Sequence, residues 1–126
     1  MGAVQLTYDD LDGQIGPSDV PDLVFATTIS AGTLAGDIRA LSGDDGHLLW
    51  VAGAPDQIPL AELAADDIDG DGIVEIIAPK RRDASGYHLI AFEHTGEQKW
   101  VSTPSTITVP GIDISPGAIS IANLDG

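Results

Sequence analysis

Short apolar runs alternate along this chain with polar, glycine-bearing turns. Asp22-Leu23-Val24-Phe25-Ala26 and Glu75-Ile76-Ile77-Ala78 read as short strands buried on both faces. Ile38–Leu41 and His88–Phe92 predict the next strand in each case. Each runs into a turn, Asp44-Asp45-Gly46 or His94-Thr95-Gly96, and then into a strand that ends in Trp50 or Trp100. Glycine suits those turns because it accepts a positive φ without a Cβ clash. Residues 60–65 have the propensity of a helical turn, but their place in the repeat described next makes them a strand. No helix is expected.

The pattern recurs at a fixed distance. Leu6 to Gly13, Leu63 to Gly70 and Ser120 to Gly126 align, with 57 residues from Asp10 to Asp67 and 56 from Asp67 to Asn123. A second landmark, the turn glycine and the tryptophan after it, recurs 50 residues on, as Gly46 with Trp50 and Gly96 with Trp100. Repeat 1 covers about 4–59, repeat 2 about 60–117, and a partial third copy 118–126. The closing strand of the unit is repeated at Ala118–Ala122. Four strands per unit predict an all-β chain of β-propeller blades, each a four-stranded antiparallel sheet. Two blades leave the ring incomplete, because a blade buries both faces only against neighbours. The chain is then a segment of a larger propeller, or a subunit that associates with further copies of itself by lending a strand.

Composition narrows the partners. A hydrophobic content of 43% suffices for a packed core, while 20 acidic residues against 5 basic ones leave a net charge of −15. That field repels phosphate backbones and anionic lipid, which argues against nucleic acid and membrane insertion, and it attracts cations. No cysteine is present, so disulfides, zinc–thiolate sites and thiol catalysis are excluded. No apolar run approaches the roughly 20 residues of a spanning helix. The start, Met1-Gly2-Ala3-Val4, lacks the basic and apolar regions of a signal peptide, so either the chain is not exported as written or it is a piece whose signal lies upstream.

The acids cluster. Asp67-Ile68-Asp69-Gly70-Asp71-Gly72-Ile73-Val74-Glu75 places carboxylates at positions 1, 3, 5 and 9. Alternation lets the first three side chains converge while Gly72 permits a bend that turns the Ile73 carbonyl inward, and Glu75 closes the set. Hard oxygen donors in this number suit Ca²⁺ better than Mg²⁺, which demands a strict octahedron, or Zn²⁺, which prefers nitrogen and sulfur. An EF-hand shares the opening spacing but needs an acid at position 12, where Ala78 stands, and helices on either side. The first loop departs from the pattern: Asp10 and Asp12 begin it, Gln14 stands where the third Asp belongs, and the closing Asp22 comes four residues late. Asp19 is a candidate ligand there. The third loop offers Asn123 and Asp125 as a partial site.

An Asp-x-Asp-x-Asp-Gly-x-x-Glu loop leading into an apolar strand, once per blade, resembles the FG-GAP/VCBS repeats of integrin-α-type β-propellers, over nearly the whole chain. The resemblance implies Ca²⁺ held by Asp67, Asp69, Asp71, the Ile73 carbonyl and Glu75. It further implies a secreted or cell-surface module that meets a protein or carbohydrate ligand in adhesion or surface assembly. The turn-Gly-x-x-x-Trp signature also resembles PQQ-type propellers, where Trp50 and Trp100 would be blade packing residues. The enzymatic alternative is a fragment of a propeller-type polysaccharide lyase, although no nucleophile elbow is present and the carboxylates are better read as ligands than as an acid–base pair. His47, His88 and His94 lack the grouping of a zinc site. Lys80-Arg81-Arg82 reads as a solvated loop after the strand, or as a contact for an acidic polysaccharide.

Overall fold

A computed structural model describes residues 2–10, 12–27, 35–53, 58–59, 62–103, 119–122 and 124. Its elements are all strands: β1 (Gly2–Val4), β2 (Asp22–Ala26), β3 (Ala35–Gly36), β4 (Ile38–Leu41), β5 (Leu48–Ala52), β6 (Ile58–Pro59), β7 (Ala64–Asp66), β8 (Glu75–Asp83), β9 (Gly86–Phe92) and β10 (Gln98–Val101). They form two four-stranded antiparallel sheets, ordered β1-β2-β4-β5 and β7-β8-β9-β10, with a short β3–β6 pair beside them. Among the described residues the sheets do not close into a ring.

The two sheets are built alike down to their irregularities. In the first, Ala40 pairs with Trp50 and Leu41 with Leu48, which leaves Leu49 as an extra residue in β5. In the second, Ala91 pairs with Trp100 and Phe92 with Gln98, which leaves Lys99 as the extra residue in β10. Such a bulge bends the strand and re-aims the side chain it carries. Both bulges immediately precede the repeated tryptophan. The turns before them contain Gly46 and Gly96, with φ of 77° and 82°, a backbone that disfavours a side chain.

One core joins the sheets. Val24, Ile38, Ala40 and Ala52 from the first pack with Ile76, Ala78, Ile90 and Phe92 from the second, and Leu6 lies among them. Corresponding edges approach, β1 beside β7. On the far side Trp50 reaches across: its indole N–H donates to the His94 carbonyl at 2.8 Å, and its ring lies over Gly96. A Cβ on Gly96 would sit 2.8 Å from that ring, so only glycine leaves room.

Several expectations need correction. Glu75 to Ala78 is buried on both faces, but β2 alternates, with Leu23 38% exposed. The strand before the first acidic loop is Gly2–Val4, and Val4 pairs with Asp22 just as Asp66 pairs with Glu75. Aligning Asp10 with Asp67 therefore matches sequence but not place in the sheet, because the first loop is lengthened before Asp10 as well as after it. In the second repeat the strand starts at Ala64. Lys80-Arg81-Arg82 belongs to β8, not to a loop: β8 and β9 continue to a tight turn where Asp83 pairs with Gly86. Residues 119–122, predicted as a strand, lie in none. The β3–β6 pair had no signal in the pattern.

Candidate metal centre

The loop between β7 and β8 folds around its own aspartates. Asp67 is the hub: Oδ1 accepts the N–H groups of Gly70 (2.6 Å) and Asp71 (3.1 Å), and Oδ2 accepts that of Gly72 (2.8 Å). Asp69 Oδ1 accepts from Asp71 N–H at 3.2 Å, and Asp71 Oδ1 from Ile73 N–H at 2.8 Å. Such short bonds from an Asp side chain to backbone a few residues on are what make the residue favourable in turns. Gly70 and Gly72 take φ of 83° and 90°, which folds the segment tightly enough for the three side chains to meet. One oxygen from each of Asp67, Asp69 and Asp71 lies within 4.8 Å of the others. Each carboxylate offers about four lone-pair positions, so an oxygen that accepts one amide retains capacity for a cation.

Glu75 stands outside this trio. It is 0% exposed, and Oε2 accepts the Ile68 N–H at 3.0 Å, pinning the start of the loop to the start of β8. Its other oxygen faces a cation already in the chain. The Lys99 ammonium lies 2.7 Å from Asp69 Oδ2, 2.8 Å from Glu93 Oε1 and 3.3 Å from Glu75 Oε1. This lysine is the bulged residue of β10, where the first sheet has Leu49 packed against the core. Hydrogen bonding to Lys99 holds the Asp69 carboxyl below the usual range. Hydrogen bonds to Asp69 and Glu93 push the lysine up, so it stays charged well beyond neutral pH.

Comparison of the chain with protein-family models, with curated proteins and with solved structures returns no match. The chemistry of the loop therefore rests on its own residues. Asp67, Asp69 and Asp71 form a group that could hold a metal ion, and an all-oxygen donor set of this kind fits a hard divalent cation.

The first loop solves the same folding problem differently. Asp22, 0% exposed like its counterpart Glu75, accepts from the N–H groups of Leu6 and Thr7 and the Thr7 hydroxyl through Oδ2, each at 3.0 Å, and from Gly43 N–H through Oδ1 at 3.1 Å. Asp19 accepts from Asp9 and Asp10 N–H through Oδ1 and from Gly16 N–H through Oδ2. Asp10 accepts from Ser18 Oγ and Asp12 N–H, and Asp12 from Gln14 N–H. The structure thus spreads Asp10, Asp12, Asp19 and Asp22 over separate backbone partners, and among the described residues it gathers only Asp67, Asp69 and Asp71 into a cluster. Asn123 and Asp125 lie outside the described residues.

Backbone donors, Gly16 first and then Asp9 and Asp10, lower the pKa of Asp19 below its ordinary value of 3.8. A depressed folded-state value stabilises the fold above the unfolded pKa and loses that contribution as pH falls through the lowered one. The contribution of Asp19 to the first loop is therefore expected to be lost only as pH falls below 3.8. Carboxyl carbon chemical shifts followed by NMR would place the Asp19 midpoint. A midpoint at or above the ordinary value would contradict the arrangement, as would an Asp19→Asn variant whose acid transition matches that of the parent.

Sequence reasoning missed Lys99 and Glu93 as parts of the site. Lys99 stands 24 residues from Glu75 and 30 from Asp69, in a strand that pattern alone assigns to packing. The available signal was its place: the position before the repeated tryptophan is Leu49 in one copy and lysine in the other.

Proposed function

We propose that the chain is a calcium-binding β-propeller segment that serves as an interaction or adhesion module outside the cell. The observation that carries this reading is the convergence of Asp67, Asp69 and Asp71 on a loop bent by two positive-φ glycines. The propeller arrangement is supported by two sheets with the same strand order and bulge, with corresponding edges adjacent and Trp50 bridging them. The resemblance to FG-GAP/VCBS repeats supports the same reading. In it, the three aspartates hold Ca²⁺, with the Ile73 carbonyl and Glu75 completing the set. The bound ion offsets the mutual repulsion of the carboxylates and ties β7 to β8, so metal affinity becomes folding stability. A dissociation constant of about 10⁻⁴–10⁻³ M is typical of extracellular modules.

At about 10 mM Ca²⁺ such a site would stabilise the fold by about 1.4–2.7 kcal/mol. For a chain of this length that raises the melting temperature by roughly 5–10 °C relative to EDTA. Magnesium at the same concentration is expected to do much less. Asp71→Asn retains an acceptor for the Ile73 N–H but removes a charge, and is expected to abolish most of the calcium response. A melting curve indifferent to calcium, or a response that survives Asp71→Asn, would rule the proposal out.

A further inference from the structure

Trp50 and Trp100 occupy equivalent positions, each following a bulge and pairing with an alanine, yet only one has a dock. Trp50 lies over the β9–β10 turn, its ring on Gly96 and its N–H on the carbonyl two residues ahead of that glycine. Trp100 is 36% exposed, with Val101 beside it 38% exposed, and among the described residues its indole N–H has no acceptor. The matching turn of the first sheet is the complementary half. Gly46 has nearly the same φ as Gly96, but a Cβ built there meets nothing within 4 Å. The carbonyl two residues ahead of it belongs to Asp44, and among the described residues nothing donates to it. The first turn is one residue wider, since Gly46 N–H bonds back to Ser42 where Gly96 N–H bonds back to Glu93.

We infer that Trp100 of one copy docks on the Gly46 turn of a second copy, repeating between chains the contact Trp50 makes within one. The occupant is a second copy because the chain presents both halves of an interface whose working form it already contains. The contact is heterologous, so it propagates head to tail until it closes a ring or extends a filament. It goes beyond the calcium reading, since none of the three aspartates takes part. The dock turn carries Asp44 and Asp45 and each copy a charge of −15, so salt should strengthen association by screening repulsion.

Sedimentation velocity across a dilution series tests this. The parent chain is expected to show concentration-dependent association, stronger in higher salt, with tryptophan emission shifting to the blue as Trp100 leaves water. Trp100→Ala removes the knob from an exposed position. Gly46→Asn covers the dock with a residue that tolerates positive φ. Each variant alone is expected to associate at least about thirtyfold more weakly, the scale of a tryptophan hot spot. Mixed in equal amounts they should form a dimer and nothing larger, because each supplies the half the other lacks. A parent that stays monomeric throughout would overturn the inference. So would association that survives both substitutions, or that salt weakens, or a mixture that fails to pair. The emission shift is read on the unmodified chain, so the test stands even if a variant misfolds.

Discussion

Asp22→Ala is expected to lower the melting temperature by about 12 °C, the larger of the two stability effects. The side chain is fully buried at the head of β2 and accepts from Leu6 N–H, Thr7 N–H, the Thr7 hydroxyl and Gly43 N–H. Each buried donor left without a partner costs about 1–3 kcal/mol, and those near the surface recover part of that from water. A net loss of about 3 kcal/mol follows, and roughly 4 °C accompanies each kcal/mol in a domain of this size. The effect reaches beyond one loop, because Asp22 ties the residues after β1 to the β4–β5 turn. Gly43 sits so close that a Cβ would lie 1.9 Å from the Pro21 carbonyl oxygen. Asp12 is the control: it is exposed and accepts from Gln14 N–H, so Asp12→Ala should stay within about 0.5 kcal/mol of the parent. Equal melting temperatures for the two variants would show that Asp22 does not staple the loop.

Lys99→Met is expected to act in opposite directions with and without calcium. In EDTA the variant should melt below the parent, because buried Glu75 loses its ammonium partner while Asp69 and Glu93 lose theirs. Toward calcium the variant should have the advantage. A divalent ion among Asp67, Asp69 and Asp71 must share Asp69 with a positive charge 2.7 Å away. Removing that charge relieves repulsion and frees oxygens of Asp69 and Glu75, which is expected to tighten calcium by about tenfold. Isothermal titration gives the affinity, and melting curves give the apo penalty. If the variant binds calcium no more tightly than the parent, the lysine does not compete with the ion.

The same lysine separates what is local in this protein from what is not. Strands β2, β4, β5, β8, β9 and β10 were legible because alternation and short apolar runs report directly on burial. The turns at Gly46 and Gly96 and the loop from Asp67 to Asp71 were legible because each is made by residues within a few positions of one another. Repetition added the expectation of two like units, and two four-stranded sheets of like strand order stand there. Where the first loop departs from the second, the residues alone misled: Asp10 resembles Asp67, yet the strand register places Val4, not a residue next to Asp10, opposite Asp22.

The chain by itself determined the strands, their turns, the doubling and the aspartates that meet. Only the tertiary structure decided that Asp19 and Asp22 serve backbone amides, that Lys99 stands against Asp69 and Glu75, and that Trp50 crosses to His94. The physical reason is distance along the chain. A carboxylate accepts whichever donor the fold brings to it, whether an amide, an ammonium or a metal ion. Residue type and spacing specify the acceptor, and packing between distant strands supplies the donor.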